Sequence, residues 1–465
     1  MKKAFAMLST VILAGSLIGA PAASASTQDA LTKKAQNISM NGYDEFGFFN
    51  EVEPNNSFAQ ANKLQNGDFA SGKLTNNDKD YYKLVVDADK DVFLDLIAGT
   101  DEMKPSLALQ VDVYNSSQKK LTPDFTDKDG GFYASFDALA PGTYYFVVSD
   151  TANKNNGAEY FFTATAYTGE PEITRIEGLD RYETAVEIAK AGFEEGTTPE
   201  VVLATGLDFP DALAGAPLAH QMGAPILLTK TKTIPDSVKK ALTYFGVEHV
   251  TILGGQSVVT KDVETQLKKM NITFNRIAGD NRYDTAAEIA NELDPSWSDT
   301  AFVTYGGNFP DALSVASIAA SQGSPILLTK TKELPAETAK ALKNYNDSYA
   351  IGGTKVISDT VFKKLPKAKR IAGDDRYETS VQVIKQLDVD VFGATLATGQ
   401  GFADALTGSV LAANWYEPVV LTRKDSLPDP AATLFQDNET MYYTILGGKS
   451  AVGDGVEEDI RMLFE

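Results

Sequence analysis

The sequence predicts an α/β protein: three tandem repeats built on parallel sheets, preceded by an antiparallel β-sandwich. Three observations carry this. Four short strings recur in the same order three times across residues 171–465. Within each copy, short apolar β-branched runs are each followed by an amphipathic stretch, the pattern of a parallel sheet covered on both faces. The segment before the repeats holds strand-like runs broken by Asp, Asn, Gly and Pro, with no helical stretch.

The chain opens "MKKAFAMLSTVILAGSLIGAPAASAS". Lys2 and Lys3 form a basic start, Val11–Ile18 lies in an apolar core, and Ala23-Ser24-Ala25 offers small residues for cleavage. A signal peptide over 1–25 is expected, with Ser26 the first mature residue; a membrane anchor would need about 18–20 unbroken apolar residues. Residues 26–49 form a polar leader ending in Tyr43, Phe46, Phe48 and Phe49, aromatics expected to pack on the sandwich. The sandwich itself spans 50–168, with runs such as "DYYKLVVDADKDVFLDLIAG" and "GTYYFVVSD". The Gly and Pro of "YTGEPEITR" (167–175) mark a hinge.

Each repeat then begins with an arginine string: "RIEGLDRYETAVEIA" (175–189), "RIAGDNRYDTAAEIA" (276–290) and "RIAGDDRYETSVQVI" (370–384). The openings at 175, 276 and 370 are 101 and 94 residues apart, a domain-sized period. The remaining strings are F-P-D-A-L or F-A-D-A-L, "PILLTK" or "PVVLTR", and I-L-G-G or "YAIGG". This places the repeats at 171–269, 270–363 and 364–465. In the first, helices are expected over about 210–221, 235–244 and 258–269. In the arginine string, Gly178, Gly279 and Gly373 break the strand. Asp180, Asn281 and Asp375 stand at N-cap positions, and Glu183, Asp284 and Glu378 complete a capping box. Tyr182, Ala185, Val186 and Ala189 then share one helix face.

Composition narrows the function. Losing Lys2 and Lys3 with the signal takes the formal charge from −21 to −23, which repels nucleic acid and anionic lipid in bulk. There is no cysteine, hence no disulfide and no thiol to carry a lipid. The two histidines, His220 and His249, recur in no other copy and read as structural. H-E-x-x-H and G-x-S-x-G motifs are absent, so zinc-peptidase and nucleophile-elbow hydrolase chemistry lack their residues. "LGGKS" (446–450) resembles a phosphate loop, but Tyr443 stands where that loop needs a glycine. Asp211, Asp311 and Asp404 of the F-x-D-A-L strings sit at a helix start, where a carboxylate stabilises the N-terminus.

The triple R-I-x-G-x-(D/N)-R-Y-x-T, with the F-x-D-A-L and L-G-G strings, resembles the cell wall-binding repeat 2 family over residues 171–465. The resemblance implies Toprim-like repeats in a pseudo-threefold arrangement within one chain. It implies non-covalent attachment to an anionic secondary polymer of the Gram-positive wall, either teichoic-acid-like or an anionic polysaccharide. The family's anchoring string maps onto Ile252, Leu253, Gly254 and Gly255; onto Ile351, Gly352 and Gly353; and onto Ile445, Leu446, Gly447 and Gly448. The first half, through "EVEPNNSFAQA" (51–61), "DKDYYKL" (78–84) and "PGTYYFVVSD" (141–150), resembles the bacterial pre-peptidase C-terminal domain. That resemblance implies a calcium site at Glu51, Glu53, Asn55, Asp78 and Asp80, with Asn56 replacing a further acid. Oxygen-only ligands suit calcium.

Two roles stand open for the arginines Arg175, Arg181, Arg276, Arg282, Arg370 and Arg376. They either grip phosphate or carboxylate on the polymer, or they bridge repeats through acids such as Asp211, Asp311 and Asp404. The expectation for the whole chain is a secreted, non-enzymatic wall protein, free of nucleic acid and of the membrane after signal cleavage. A wall hydrolase or autolysin modifier active in the repeats, and a surface adhesin or structural protein, are the alternatives.

Overall fold

A computed structural model describes residues 49–75, 78–88, 91–100, 108–127, 132–152, 158–167, 170–208 and 211–464. The signal segment 1–25 and all of the leader but Phe49 lie outside these residues. The chain divides into two compact units at Glu170/Pro171, inside the expected hinge.

The first unit is a two-sheet sandwich. One sheet runs in the order β1 (Phe49–Asn50), β3 (Phe69–Leu74), β10 (Ala158–Tyr167), β5 (Val92–Thr100), β8 (Phe132–Leu139), β7 (Phe125–Asp127). The other is β2 (Asn62–Leu64), β4 (Asp80–Val86), β9 (Gly142–Asp150), β6 (Leu109–Tyr114). Alternate residues of β4, β5 and β9, among them Tyr82, Leu84, Leu94, Leu96, Phe146 and Val148, face inward and are wholly buried. The antiparallel expectation needs one correction. The short edge strands β1 and β2 run parallel to β3 and β4. Their brevity allows this, because two or three ladder positions make no long unpaired edge. Phe49 does pack on the core, its ring edge-on to Tyr82 at 6.4 Å.

The second unit holds three four-stranded parallel sheets. The first is β13 (Ile226–Thr229), β12 (Glu200–Thr205), β14 (His249–Leu253), β15 (Thr273–Ile277). The second is β17 (Ile326–Thr329), β16 (Thr300–Tyr305), β18 (Asp347–Ile351), β19 (Lys369–Ile371). The third is β21 (Val419–Thr422), β20 (Gly393–Thr398), β22 (Tyr442–Leu446), β11 (Glu172–Ile176). Sheets and sequence repeats are therefore offset by one strand. The R-I strands β15 and β19 each pair with the glycine-pair strand before them, whereas β11, first in the unit, pairs with β22, last in the unit, from Glu172↔Tyr442 to Ile176↔Leu446. Backbone hydrogen bonds thus tie the two ends of the unit together.

Helix α1 (Arg181–Gly192) opens the first repeat, followed by α2 (Gly215–Gln221), α3 (Asp236–Tyr244) and α4 (Lys261–Lys269). The second repeat carries α5 (Arg282–Glu292), α6 (Pro310–Ser321), α7 (Ala336–Ala341) and α8 (Asp359–Phe362). The third carries α9 (Arg376–Gln386), α10 (Ala403–Asn414), α11 (Asp429–Asp437) and α12 (Asp454–Met462). The sequence places α2 about five residues earlier than it begins. Pro217 explains the late start: proline is tolerated in the first turn but clashes with the preceding turn of a helix interior. Helices α2, α6 and α10 pack on one another. They are apolar on nearly every side, with ten of the twelve residues of α6 buried, as befits fully enclosed helices. Their hydroxyls are satisfied: Ser314 Oγ donates to the Pro310 carbonyl at 2.8 Å, and Ser317 Oγ accepts from the Val419 amide at 3.2 Å, linking α6 to β21. Among the described residues no helix is long and apolar enough to cross a membrane.

Candidate functional site

Ligands of parallel α/β sheets bind outside the carboxyl ends of the strands. Here that edge carries the arginine strings, the F-x-D-A-L helix starts and the glycine pairs. The first arginine of each string ends its R-I strand and turns inward. Arg276 donates to the Gly254 carbonyl (2.5 Å), the Val259 carbonyl (2.9 Å) and Glu264 Oε1 (2.7 Å). Arg175 makes the matching bonds to the carbonyls of Gly447 and Val452, both 2.8 Å, and to Glu457 Oε1 at 2.6 Å. Arg370 holds the Gly352 carbonyl at 2.9 Å, sits 4.7 Å from the Phe362 ring, and reaches exposed Asp359 at 3.4 Å. With side chains only 13–19% exposed, these three arginines lock the glycine-pair turn to the helix after it. Of the two roles left open by the sequence, they fill the structural one, with acids other than Asp211, Asp311 and Asp404.

The anchoring string divides in the same way. Ile252, Leu253, Ile351, Ile445 and Leu446 are at most 1% exposed within their strands, so their side chains cannot touch a polymer. Gly254, Gly352 and Gly447 are buried at φ of 98°, 115° and 93°. A Cβ there would lie 2.9, 2.6 and 2.5 Å from the carboxylates of Asp211, Asp311 and Asp404, so these positions require glycine twice over. Gly255, Gly353 and Gly448 are half-buried at the edge.

The second arginine of each string occupies a different position. Asp180, Asn281 and Asp375 cap α1, α5 and α9, each accepting from two backbone amides at 2.9–3.1 Å. The capping-box acids Glu183, Asp284 and Glu378 accept instead from the amide one residue before the cap, at 3.0, 2.9 and 2.7 Å. With the helix start held this way, Arg181, Arg282 and Arg376 each donate Nη1 to a glycine carbonyl: Gly206 (2.6 Å), Gly306 (2.6 Å) and Gly399 (2.5 Å). The neighbouring tyrosines Tyr182, Tyr283 and Tyr377 press on those same glycines, where a Cβ would stand 2.6–2.7 Å from the ring.

Over each tyrosine lies a cation absent from the sequence-derived set: Lys230 over Tyr182 at 5.6 Å, Lys330 over Tyr283 at 5.8 Å and Arg423 over Tyr377 at 5.0 Å. These end the "PILLTK" and "PVVLTR" strings, and all three are exposed. Their recurrence was the available sequence signal.

Two of the acids named from the sequence, Asp311 and Asp404, do meet arginines, across repeats. Burial pushes the Asp311 carboxyl up to about 6, while the charge of Arg376 pulls it down. Asp404 is likewise raised by burial and drawn down by Arg181. Arg181 also lies 5.8 Å from the Phe402 ring and Arg376 lies 5.9 Å from the Phe309 ring. The two phenylalanines are themselves 6.3 Å apart. A cavity of about 450 Å³ opens here, lined by Leu179, Arg181, Phe309, Phe402, Gly448 and Ser450. The histidines stand away from this cavity as structural groups; the His249 ring nitrogens lie 2.8 and 3.2 Å from Thr273 Oγ1 and Asn275 Oδ1.

In the sandwich, Glu51, Glu53 and Asp80 each bring one carboxylate oxygen within 4.8 Å of the others. Asp80 is wholly buried and accepts from Tyr160 Oη at 2.6 Å; Tyr160 in turn bonds Tyr82 at 2.7 Å. Burial pushes the Asp80 carboxyl up to about 9, against the Tyr160 hydrogen bond and with the Glu51 charge adding to the rise. Glu51 is raised by burial as well. One end of the buried Asn55 amide stands 3.2 Å from both Glu53 Oε2 and Asp80 Oδ1. With its nitrogen there the amide donates to both; with its oxygen there the group becomes an all-oxygen cage with charge to neutralise, which fits a hard cation. Asp78 stands outside this group, capping the turn at Thr75 (3.1 Å to its amide).

Residues 175–264, 276–362 and 370–457 match cell wall binding domain 2. The chain belongs to this family. It is 31% identical to the N-acetylmuramoyl-L-alanine amidase LytC of Bacillus subtilis over 302 residues, 64% of this chain and 60% of that one. It is 32% identical to the amidase enhancer of the same organism over 296 residues, 62% of this chain and 40% of that one. The chain therefore spans less than two thirds of the length of either relative. Among solved structures, Cwp8 from Clostridium difficile is 25% identical with a TM-score of 0.59, covering 78% of this chain and 64% of that one. Cwp6 from the same organism, at 20% identity and TM-score 0.61 over 87% of this chain and 67% of that one, shares the fold. The mixed α/β architecture with several parallel sheets and the three wall-binding repeats thus stand as read from the sequence. The family match begins each copy at the inward arginine, so the second and third units of this chain open on the strand that completes the sheet before them, and the first opens on β11, which completes the last sheet.

Proposed function

We propose that residues 171–465 anchor this chain non-covalently to an anionic secondary polymer of a Gram-positive cell wall, displaying the sandwich there. One observation carries the reading: an acidic chain brings Arg181 with Lys230, Arg282 with Lys330, and Arg376 with Arg423 to the strands' carboxyl edge, once per repeat. Cations with several donors suit phosphate or carboxylate on a flexible polymer, and three weak contacts on one chain add through effective concentration. Mutual packing of α2, α6 and α10, with the two ends of the unit joined through β11 and β22, supports a pseudo-threefold arrangement of Toprim-like repeats.

Anchoring in this reading is non-catalytic, and the amidase of Bacillus subtilis is a relative through a region of repeat-unit length rather than through its whole chain. The signal-peptide reading of residues 1–25 makes it an exported protein of the cell surface. In the sandwich, Glu51, Glu53, Asn55 and Asp80 would hold Ca²⁺, which would neutralise their crowded carboxylates; Asp78 contributes no ligand. The test is sedimentation of the mature chain with purified walls before and after acid extraction of secondary polymers. Binding to intact walls alone is expected; equal binding to extracted walls would sink the anchoring reading, and release of soluble muropeptides would favour a hydrolase.

A further inference from the structure

The three junctions share a plan but differ in how far their cations are already neutralised. Lys330 donates to Glu333 Oε2 at 2.9 Å, and Arg423 lies 3.9 Å from Asp375. Among the described residues Lys230 holds no ion pair, because Thr233 stands where the second repeat has Glu333. Arg181 spends only Nη1, on Gly206, and is itself exposed; it lies beside buried Asp404 as Arg376 lies beside Asp311, so the difference between these junctions rests on Lys230. The residue after the string's glycine is Leu179, 96% exposed, where the other copies carry Asp280 and Asp374. The cavity of about 450 Å³ opens between this cation and the Gly448–Ser450 turn of the third repeat. Asp180, the cap of α1, and the buried Asp404 belong to its lining, and a third acid approaches the far rim: Glu177 Oε2 would stand 2.9 Å from a Cβ on Gly448.

Resting on the wall-binding reading above, we infer that the junction of the first and third repeats is the dominant polymer site, with Lys230 and Arg181 as paired cations flanking Tyr182. Its ligand is an anionic glycopolymer. The two cations take successive phosphates or carboxylates, and exposed Leu179 meets the apolar face of the repeating unit. The second and third junctions are weaker because their cations must first leave Glu333 and Asp375. The site exists only because β11 closes onto β22, which brings residues 177–181 beside 448–451.

The full mature chain is titrated calorimetrically with poly(glycerol phosphate) and, separately, with polygalacturonate, to distinguish phosphate from carboxylate as the recognised anion. Lys230→Glu is expected to weaken binding about tenfold or more, Lys330→Glu no more than about threefold, and Glu177→Ala to strengthen it. Both lysines are exposed, so an unchanged melting temperature separates lost contacts from lost folding. The reciprocal variant, Glu333→Thr with Asp280→Leu, is expected to raise affinity by copying the first junction into the second. Equal losses from Lys230→Glu and Lys330→Glu, or no gain from the reciprocal variant, would overturn the ranking. In that case wild-type sedimentation with intact walls would still leave the anchoring reading standing; failure of wild type to bind walls overturns both. Loss confined to one polymer supports the site and names its anion.

Discussion

Replacing Arg276 by alanine separates the two roles that arginines play in this chain. The side chain is 15% exposed and donates to two backbone carbonyls and to Glu264, itself 16% exposed. Truncation leaves those carbonyls and a largely buried carboxylate without a cation. Breaking a buried pair costs about 3–5 kcal/mol when the remaining charge cannot reach water. Two features lower this: Glu264 retains some exposure, and Arg276 Nε is buried without a partner, so its desolvation is already unrecovered. The expected loss is about 2–4 kcal/mol. At roughly 2–4 °C per kcal/mol, melting of the repeat unit falls by about 5–15 °C. Arg370→Ala, whose partner Asp359 is 71% exposed at 3.4 Å, is expected to cost about 1 kcal/mol. Both are measured by differential scanning calorimetry on the full chain, with wall sedimentation below the transition. An Arg276→Ala protein that melts like wild type but no longer binds walls would refute the structural assignment.

Three further outcomes follow from the same geometry. Gly254→Ala, at φ 98° with Asp211 2.9 Å from the new methyl, is expected to destabilise by about 2–3 kcal/mol in urea unfolding, while Gly353→Ala, with open space around it, changes nothing measurable. In the metal-free sandwich, Asp80 keeps its proton up to about 9 whereas the unfolded chain releases it near 4, so stability is fullest below 4 and is lost as pH rises toward 9. Thermal melts across that range should show this slope, Ca²⁺ should flatten it, and Asp80→Asn should remove its upper part, leaving the contribution of Glu51, which burial also raises. Asp311, raised to about 6, likewise withdraws stability as pH rises from about 4 to 6; Asp311→Asn should remove that slope and leave stability at pH 7 unchanged or higher.

Much of this molecule is local and therefore legible in one dimension. The caps Asp180, Asn281 and Asp375, the apolar runs that became β12, β16 and β20, and the glycines that break each R-I strand act on neighbours within a few residues. Their threefold recurrence sets the number of repeats and the α/β class. Pro217 is also local, and its refusal of a helix interior was readable.

What the sequence alone left undecided depends on partners distant in the chain. Backbone hydrogen bonding carries no side-chain signature, so the pairing of Glu172–Ile176 with Tyr442–Leu446 emerges only when the strands are laid side by side. The same closure decides that Arg175 finds Glu457 while Arg181 is left facing a cavity, although six residues separate two identical side chains. Lys230 comes over Tyr182 because α1 packs on β13 within the same repeat. In the sandwich, Asp80 meets Glu51 and Glu53 because β4 begins beneath the segment that follows β1, while Asp78, two residues away, turns back on Thr75. Repetition in the sequence chose the residues; the closed path of the backbone chose which of them are buried as mortar and which remain to hold a ligand.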